Sequence, residues 1–455
     1  MDLRYWLGRA VEANQEWVAG FPPYETHPSV AVGDAAMSAA FEELAARLRG
    51  NYPYFHPQYA GQMLKPPHPV AVAGYVTAML VNPNNHGLEG GPATTRMERE
   101  VVAKLAGMFG LGTHLGHLTS SGTIANLEAL FVARESHPGL GVAYSADAHF
   151  THERMCRVLG VRGHAVATDD TGAMDLDALE KLLRTGEIGT VVLTAGTTGL
   201  GAVDPIAAAV ELKERFGVRL HVDAAYGGFY ALVAEDPALR LDPVQWQAIS
   251  RCDSVTVDPH KHGLQPYGCG AILFSDPEVA RHYLHDSPYT YFTSDELQLG
   301  QISLECSRAG AAAAALWLTL EVFPLRADGL GAVLAATRRA ALRAAELIDC
   351  APELTLYQQP QLDTVAYFPA ADGTISGIDA ASGAILDAGM TDDRDPIFLS
   401  TLRVDAEGFR KRGHAVGTNA PSGRILRSVL LKPEHEGVMK ELVTRVSAHV
   451  LRQLA

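Results

Sequence analysis

Cysteine is scarce in this chain and shows no pairing pattern. The five residues, Cys156, Cys252, Cys269, Cys306 and Cys350, are odd in number, scattered, and never form a C-x-x-C step. Neither a disulfide framework nor a zinc site is indicated, and the expectation is buried thiols in a reducing compartment. Basic charge is also in deficit: 37 Lys+Arg against 52 Asp+Glu leave a formal net charge of -15. A nucleic-acid-binding surface would show the opposite excess. No apolar run approaches the length that spans a bilayer. The opening Met1-Asp2-Leu3-Arg4-Tyr5-Trp6 lacks the basic start and apolar run of a signal peptide. A cytoplasmic protein with no nucleic-acid or membrane partner is expected. Internal repeats and low-complexity tracts are missing as well.

What is there is a composition able to bury a large core, 47% apolar and 20% charged over 455 residues. That length predicts two or three units. Residues 1–60 read as a helical arm broken by Pro- and Gly-rich turns, too short to cover its own apolar face and so expected to pack on another subunit. Residues 61–325 read as a large α/β domain. Its candidate strands are Gly116–Thr119, Val142–Tyr144, Thr190–Thr194, Arg219–Val222, Ser254–Val257 and Gly270–Phe274. Amphipathic stretches such as Met97–Met108, Ile124–Arg134 and Ile206–Phe216 lie between them. This alternation predicts a mainly parallel sheet covered on both faces, with ligands at the carboxyl ends of the strands. Residues 326–455 read as a smaller α+β domain, entered after the Ala-rich helix Ala309–Val322. It holds a helix over Ala332–Ile348, strands at Leu354–Leu356 and Thr364–Phe368, and a last helix from about Glu436.

Three segments carry chemistry. In Thr119-Ser-Ser-Gly-Thr-Ile-Ala-Asn126 a strand ends, small and hydroxyl residues follow, and a helix begins. Free N–H groups at such a helix start can bind phosphate, though alone the segment is equally a good helix cap. In His221-Val-Asp-Ala-Ala-Tyr226 an apolar strand ends in an acid, which could hold a pyridine nitrogen protonated or merely cap a turn. In Val257-Asp-Pro-His-Lys-His262 a lysine follows a buried strand, where desolvating an ammonium is costly unless the amine is engaged as an imine. The apolar strands on both sides predict an apolar setting for that amine rather than a surface loop.

In this order, all at strand ends of one sheet, the segments resemble those of the group II decarboxylases that use pyridoxal 5′-phosphate (PLP). The resemblance runs from about Asn51 to Leu431. It implies the fold-type I PLP-dependent transferase architecture and release of carbon dioxide from an L-amino acid. It also implies a role for each matching residue. Lys261 matches the Schiff-base lysine, His260 its phosphate-side neighbour, Asp223 the acid at the ring nitrogen and Ala225 the small residue under the ring. Ser121, Gly122 and Thr123 match the phosphate ligands, Thr198 the threonine near the ring oxygen, and His149 the histidine stacked on the ring. Aminotransferases of this fold usually place Tyr or Phe at that last position.

The stretch Asn82-Pro-Asn-Asn-His86 resembles the loop that one subunit lends to its partner's site, which implies a homodimer and makes Asn84 and His86 substrate contacts. Arg427, in Ile425-Leu-Arg-Ser428, resembles the arginine facing the substrate or its α-carboxylate; a surface ion pair is the bland alternative. The loop Ser287–Phe292 is shorter than that of animal relatives but holds Tyr291 and, as second choice, Tyr289, matching a catalytic proton donor. The aromatic stretch Asn51–Gln62 suits a tyrosine-like substrate, whereas Asn84, His86 and Gln62 equally suit an acidic one such as aspartate, glutamate or cysteine sulfinate. An aldehyde synthase on the same scaffold and a non-catalytic PLP-binding homologue are the other readings.

Overall fold

Short apolar runs rich in Val, Ile and Leu make the central sheet. In a computed structural model that describes residues 1–284, 298–371, 373–392 and 394–454, seven of them pair. They are β1 (Leu115–Thr119), β2 (Gly141–Ser145), β3 (Gly163–Val166), β4 (Ile188–Thr194), β5 (Arg219–Asp223), β6 (Ser254–Val257) and β7 (Gly270–Phe274). Every residue of β2, β4, β6 and β7 is buried, as expected of strands covered on both faces. Full burial of one Val or Leu stabilises the fold by about 1.5–3 kcal/mol, so the runs themselves fix the sheet at the centre.

The strand order is β1-β7-β6-β5-β4-β2-β3. Pairing is parallel from β3 through β2, β4 and β5 to β6, while β7 runs antiparallel to both β6 and β1. The carboxyl ends of β1, β2, β4, β5 and β6 therefore share one edge. β3 was not expected from the sequence. It is a short edge strand with exposed residues and has no apolar run to betray it.

The second sheet is smaller and antiparallel. It contains β8 (Leu354–Leu356), β9 (Thr364–Pro369), β10 (Ser400–Asp405) and β11 (Ser422–Val429) in the order β10-β11-β9-β8. Helices Leu330–Asp349, Ile375–Met390 and His435–Leu454 pack on it around Ala340, Ile348, Val365, Ile385, Leu426 and Val446. The fold is thus the α/β architecture with a smaller C-terminal α+β unit read from the sequence. Tyr59 pairs with Phe398, and Val429 N–H donates to the Ala60 carbonyl at 2.8 Å, so the end of the N-terminal segment is tied to this second sheet.

The N-terminal segment forms α1 (Leu3–Val18) and α2 (Asp34–Leu48). α1 packs on α3 (Pro69–Met79), yet Trp17, Phe21, Tyr24, Phe41 and Leu48 stay exposed. The thiols depart from expectation. Cys156, Cys252 and Cys269 are buried, but Cys306 and Cys350 are exposed, the latter because it caps the C-terminus of the Leu330–Asp349 helix. Among the described residues no helix is long and apolar enough to cross a membrane.

Candidate active site

Five strand ends and one helix start build a cleft of about 190 Å³ at the carboxyl edge of the large sheet. Its lining includes Ser121, Gly122, Thr123, Asn126, His149, Thr198, Asp223, Ala225, Tyr226, Asp258, His260 and Lys261. Every residue that the sequence singled out for the cofactor is in this set.

The helix start is α5 (Gly122–Ser136), which follows α4 (Pro92–Met108) and β1. Ser121 caps it, its Oγ accepting from Ile124 N–H at 3.4 Å, and Thr123 Oγ1 accepts from Thr151 Oγ1 at 3.3 Å. A Cβ at Gly122 would lie 2.6 Å from Asp258 Oδ2, so the bare backbone is what lets β6 and α5 approach. The first-turn N–H groups and the positive end of the helix dipole make this a natural anion site.

Asp223 ends β5, in register between Thr194 and Thr256. It is buried, and its Oδ2 accepts from His152 Nε2 at 2.9 Å and from Asn126 Nδ2 at 3.2 Å. Its Oδ1 accepts from Ala225 N–H at 3.2 Å. Burial works to raise the carboxyl pKa, but the hydrogen bond from His152 and the nearby charge, with help from Lys261, outweigh it. The group stays well below the usual carboxylate range.

Behind Asp223 the chain of bonds continues. His221 lies on the same strand face as Asp223; its Nε2 meets Asn126 Oδ1 at 2.8 Å and its Nδ1 meets Ser254 Oγ at 2.9 Å. Burial pushes His221 down to about 3, so its ring is neutral here.

The sequence reading missed His152 and gave Asn126 no role. Both act on Asp223 rather than on a ligand, so no ligand-binding motif announces them. A signal was nonetheless present: His152 follows His149 at helical i, i+3 spacing, at the start of α6 (Thr151–Leu159).

Lys261 sits in the turn after β6. The apolar setting expected for it is not what the fold provides. Its Nζ lies 3.1 Å from Asp258 Oδ2, and Asp258 is itself buried with Oδ1 lacking a partner. His260 Nδ1 faces the Cys269 carbonyl at 2.8 Å, which leaves Nε2 turned toward Asp258 at 3.5 Å. His149 is half-buried, its Nδ1 accepting from Thr151 N–H at 3.2 Å, and burial lowers its pKa.

The residues proposed for substrate lie elsewhere. Arg427 is buried and held by neutral oxygens, donating to Ser400 Oγ (3.1 Å), Thr198 O (2.9 Å) and Gln62 Oε1 (3.0 Å). It lines a second cleft that adjoins the first at His149 and Thr198. Asn84 and His86 line neither cleft. Asn84 Oδ1 accepts from His86 N–H at 2.9 Å and from Arg308 N–H at 3.0 Å, and so braces its own loop. Tyr289 and Tyr291 lie outside the described residues.

The donor set fits PLP. A helix N-terminus suits a phosphate, a shielded carboxylate suits a pyridinium, and a primary amine in reach of both suits the aldehyde. Orphaned buried oxygens, Thr194 Oγ1 and Asp258 Oδ1, mark the same cleft as incomplete without a polar guest.

Comparison with known proteins points the same way. Residues 50–368 match the family described as the Pyridoxal-dependent decarboxylase conserved domain. An L-tyrosine decarboxylase of Enterococcus faecium is 29% identical over 75% of this chain and 74% of its own length. An L-aspartate decarboxylase of Thermococcus kodakarensis is 30% identical over 73% of this chain and 85% of its own length. The crystal structure of Oryza sativa TDC with PLP and tryptamine superposes with a TM-score of 0.79, at 18% identity, covering 100% of this chain and 98% of that one. With motif order, cleft and match in agreement, the chain belongs to the pyridoxal-dependent decarboxylase family and is a PLP-dependent amino-acid decarboxylase.

Proposed function

We propose that this decarboxylase acts on an L-amino acid with a tyrosine-like side chain, at a site where Lys261 carries PLP. The observation that supports the site is the convergence of the α5 N-terminus, Asp223 and Lys261 in one cleft. Ser121, Gly122, Thr123 and His260 would hold the phosphate, Ala225 and His149 would flank the ring, and Thr198 would lie near its hydroxyl.

When bound, PLP supplies a protonated pyridine ring able to accept the electron pair left as carbon dioxide departs. Asp223 retains the proton on the ring nitrogen, because His152 and Asn126 keep its carboxylate charged and aimed. His149 excludes water from one face of the reacting centre, and Lys261 Nζ, with Asp258 beside it, exchanges a proton during product release. Arg427 orients the substrate carboxylate with donors not already used by Ser400, Thr198 and Gln62. Tyr291, with Tyr289 as second choice, delivers a proton to the α-carbon; this assignment rests on the sequence alone.

Two observations bear on the side chain. Tyr54 and Tyr59 are spent on each other, with ring centroids 4.9 Å apart, while Tyr52 and Phe55 on the same segment keep exposed rings. The same segment brings Gln62 to Arg427, so its aromatic residues are tied in sequence to the residue proposed for the substrate carboxylate. An acidic substrate is the second reading, favoured by Arg403, Lys411 and Arg412 beside Arg427 in the adjoining cleft.

A homodimer with shared sites belongs to the same proposal. Arg308 donates to the Asn85 carbonyl at 2.6 Å and pairs with Glu98, fixing the Asn82–His86 loop away from its own chain's cleft. A loop held in this way supports the reading that it serves a neighbour.

The test is carbon dioxide release from the twenty common amino acids plus cysteine sulfinate, with PLP added. Fastest release from tyrosine is expected. Fastest release from aspartate, glutamate or cysteine sulfinate would replace the substrate reading. Peroxide and ammonia in place of amine would indicate an aldehyde synthase.

A further inference from the structure

We propose that Asp363 is a positioning residue for Lys261, acting from the small sheet through Tyr226 and His262. The inference rests on the reading of Lys261 as the lysine that carries PLP.

The turn bearing Lys261 is held in a costly geometry. Leu264 has a φ of +66°, a left-handed conformation uncommon for a non-glycine residue. A residue held in this way persists only where its surroundings over-determine it. Gly263 packs so tightly that a Cβ there would lie 2.6 Å from Pro259 Cα. Two backbone bonds brace the turn: His68 N–H donates to Leu264 O at 3.0 Å, and Gln265 N–H donates to Pro259 O at 3.2 Å.

The third brace is the side chain of His262, and it leads to Asp363. His262 is fully buried, with its ring centroid 4.7 Å from that of Tyr226 and 5.3 Å from that of Tyr230. Its Nε2 lies 3.4 Å from Asp363 Oδ2. The Tyr226 hydroxyl donates to Asp363 Oδ1 at 2.6 Å. Asp363 immediately precedes β9, and its carbonyl accepts from Leu430 N–H, just past β11, at 2.9 Å.

One carboxylate anchored in the small sheet thus fastens Tyr226, whose ring packs on His262; the His262 Nε2 approaches the carboxylate without a hydrogen bond. Tyr226 lines the cleft next to Ala225, and His262 adjoins Lys261 in the chain. Neither Asp363 nor His262 lines the cleft, so their influence must pass through the turn and through Tyr226. Burial pushes Asp363 up to about 6 while the Tyr226 bond opposes.

The test uses PLP-loaded, full-length protein as wild type, Asp363→Asn, Asp363→Ala and Tyr226→Phe. Asn keeps an oxygen for the Tyr226 hydroxyl, whereas Ala removes it. Misplacing a reacting group costs rate by up to about 10²-fold, so Asp363→Ala should lower kcat by roughly 10- to 100-fold with little change in KM. The pH midpoint of the bound cofactor's absorbance should shift in the same variant. Asp363→Asn should restore both readouts to near wild type, and Tyr226→Phe should reproduce the shift.

A purely structural role would lower the melting temperature of Asp363→Ala while leaving kcat per bound PLP and the absorbance midpoint unmoved, and that result would overturn the proposal. So would an Asn variant no better than Ala. Should Asp363→Ala not fold, Tyr226→Phe against Asp363→Asn decides by the same readouts. Borohydride labelling of wild type is done first: a label away from Lys261 defeats the cofactor reading itself, a failure distinct from loss of positioning.

Discussion

Asp223 owes its charge to neighbours rather than to water. Buried and bonded to His152, Asn126 and the Ala225 backbone, the carboxyl is held well below the usual carboxylate range. Removing it takes away the countercharge for the ring nitrogen. Losing one preorganised electrostatic partner typically costs about 10²–10³-fold in rate, so Asp223→Ala should lose at least that much in kcat while PLP stays partly bound through the α5 N-terminus. Near-normal turnover, measured as carbon dioxide release per bound PLP, would remove Asp223 from the mechanism. At this scale the sequence was legible where a residue of a recognisable segment lines the cleft and silent about the residues that hold Asp223 in place. Lys261 and Asp223 could be picked out because Asp223 closes a buried strand and Lys261 closely follows one. His152 and Asn126 could not, because holding a carboxylate in place leaves no motif of its own.

Elements follow the same logic of burial. β6 and β7 were read with their observed bounds because buried strands are continuous apolar runs bounded by polar turns. β10 and β11 went unread. In β10 exposed and half-buried residues interrupt the run, and β11 carries a half-exposed Arg424 and Arg427, whose burial comes only from the tertiary fold. The helix His435–Leu454 shows what such burial does to a titratable group. His435 is enclosed at its first turn, and burial, with the charge of Lys432, pushes it down to about 3.

An unfolded histidine titrates near 6.5. Below that pH the unfolded state binds the extra proton and the folded state does not, so stability is lost as pH falls from about 6.5 toward 3. By pH 5 this amounts to on the order of 2 kcal/mol. His435→Asn keeps an acceptor for Lys432 N–H but cannot titrate. It should therefore be less stable than wild type at pH 7, with the gap narrowing by that amount at pH 5. A gap constant with pH, followed by chemical denaturation, would contradict the account.

At the scale of the whole molecule, the exposed rings of α1 and its following turn and the apolar residues of α2 look outward, and the braced Asn82–His86 loop is held off its own chain's cleft. A second copy of the chain would cover them and receive His86 in its own cleft. Mixing inactive Lys261→Ala with inactive His86→Ala should then restore part of the activity in heterodimers that hold one intact site. No recovery despite demonstrated subunit exchange would place both residues in the service of one subunit. The fold class was legible because the alternation of strands and helices spans hundreds of residues, whereas side chains that a second copy would cover look, in one chain, like ordinary exposed apolar residues.

The central claim is that Lys261 bears the cofactor, and borohydride reduction with peptide mapping tests it most directly. The PLP-loaded protein should be yellow. Reduction, denaturation and digestion should place the pyridoxyl label on the peptide containing His260-Lys261-His262, and Lys261→Ala should show no covalent label. A label on another lysine, or one that persists in Lys261→Ala, would contradict the account.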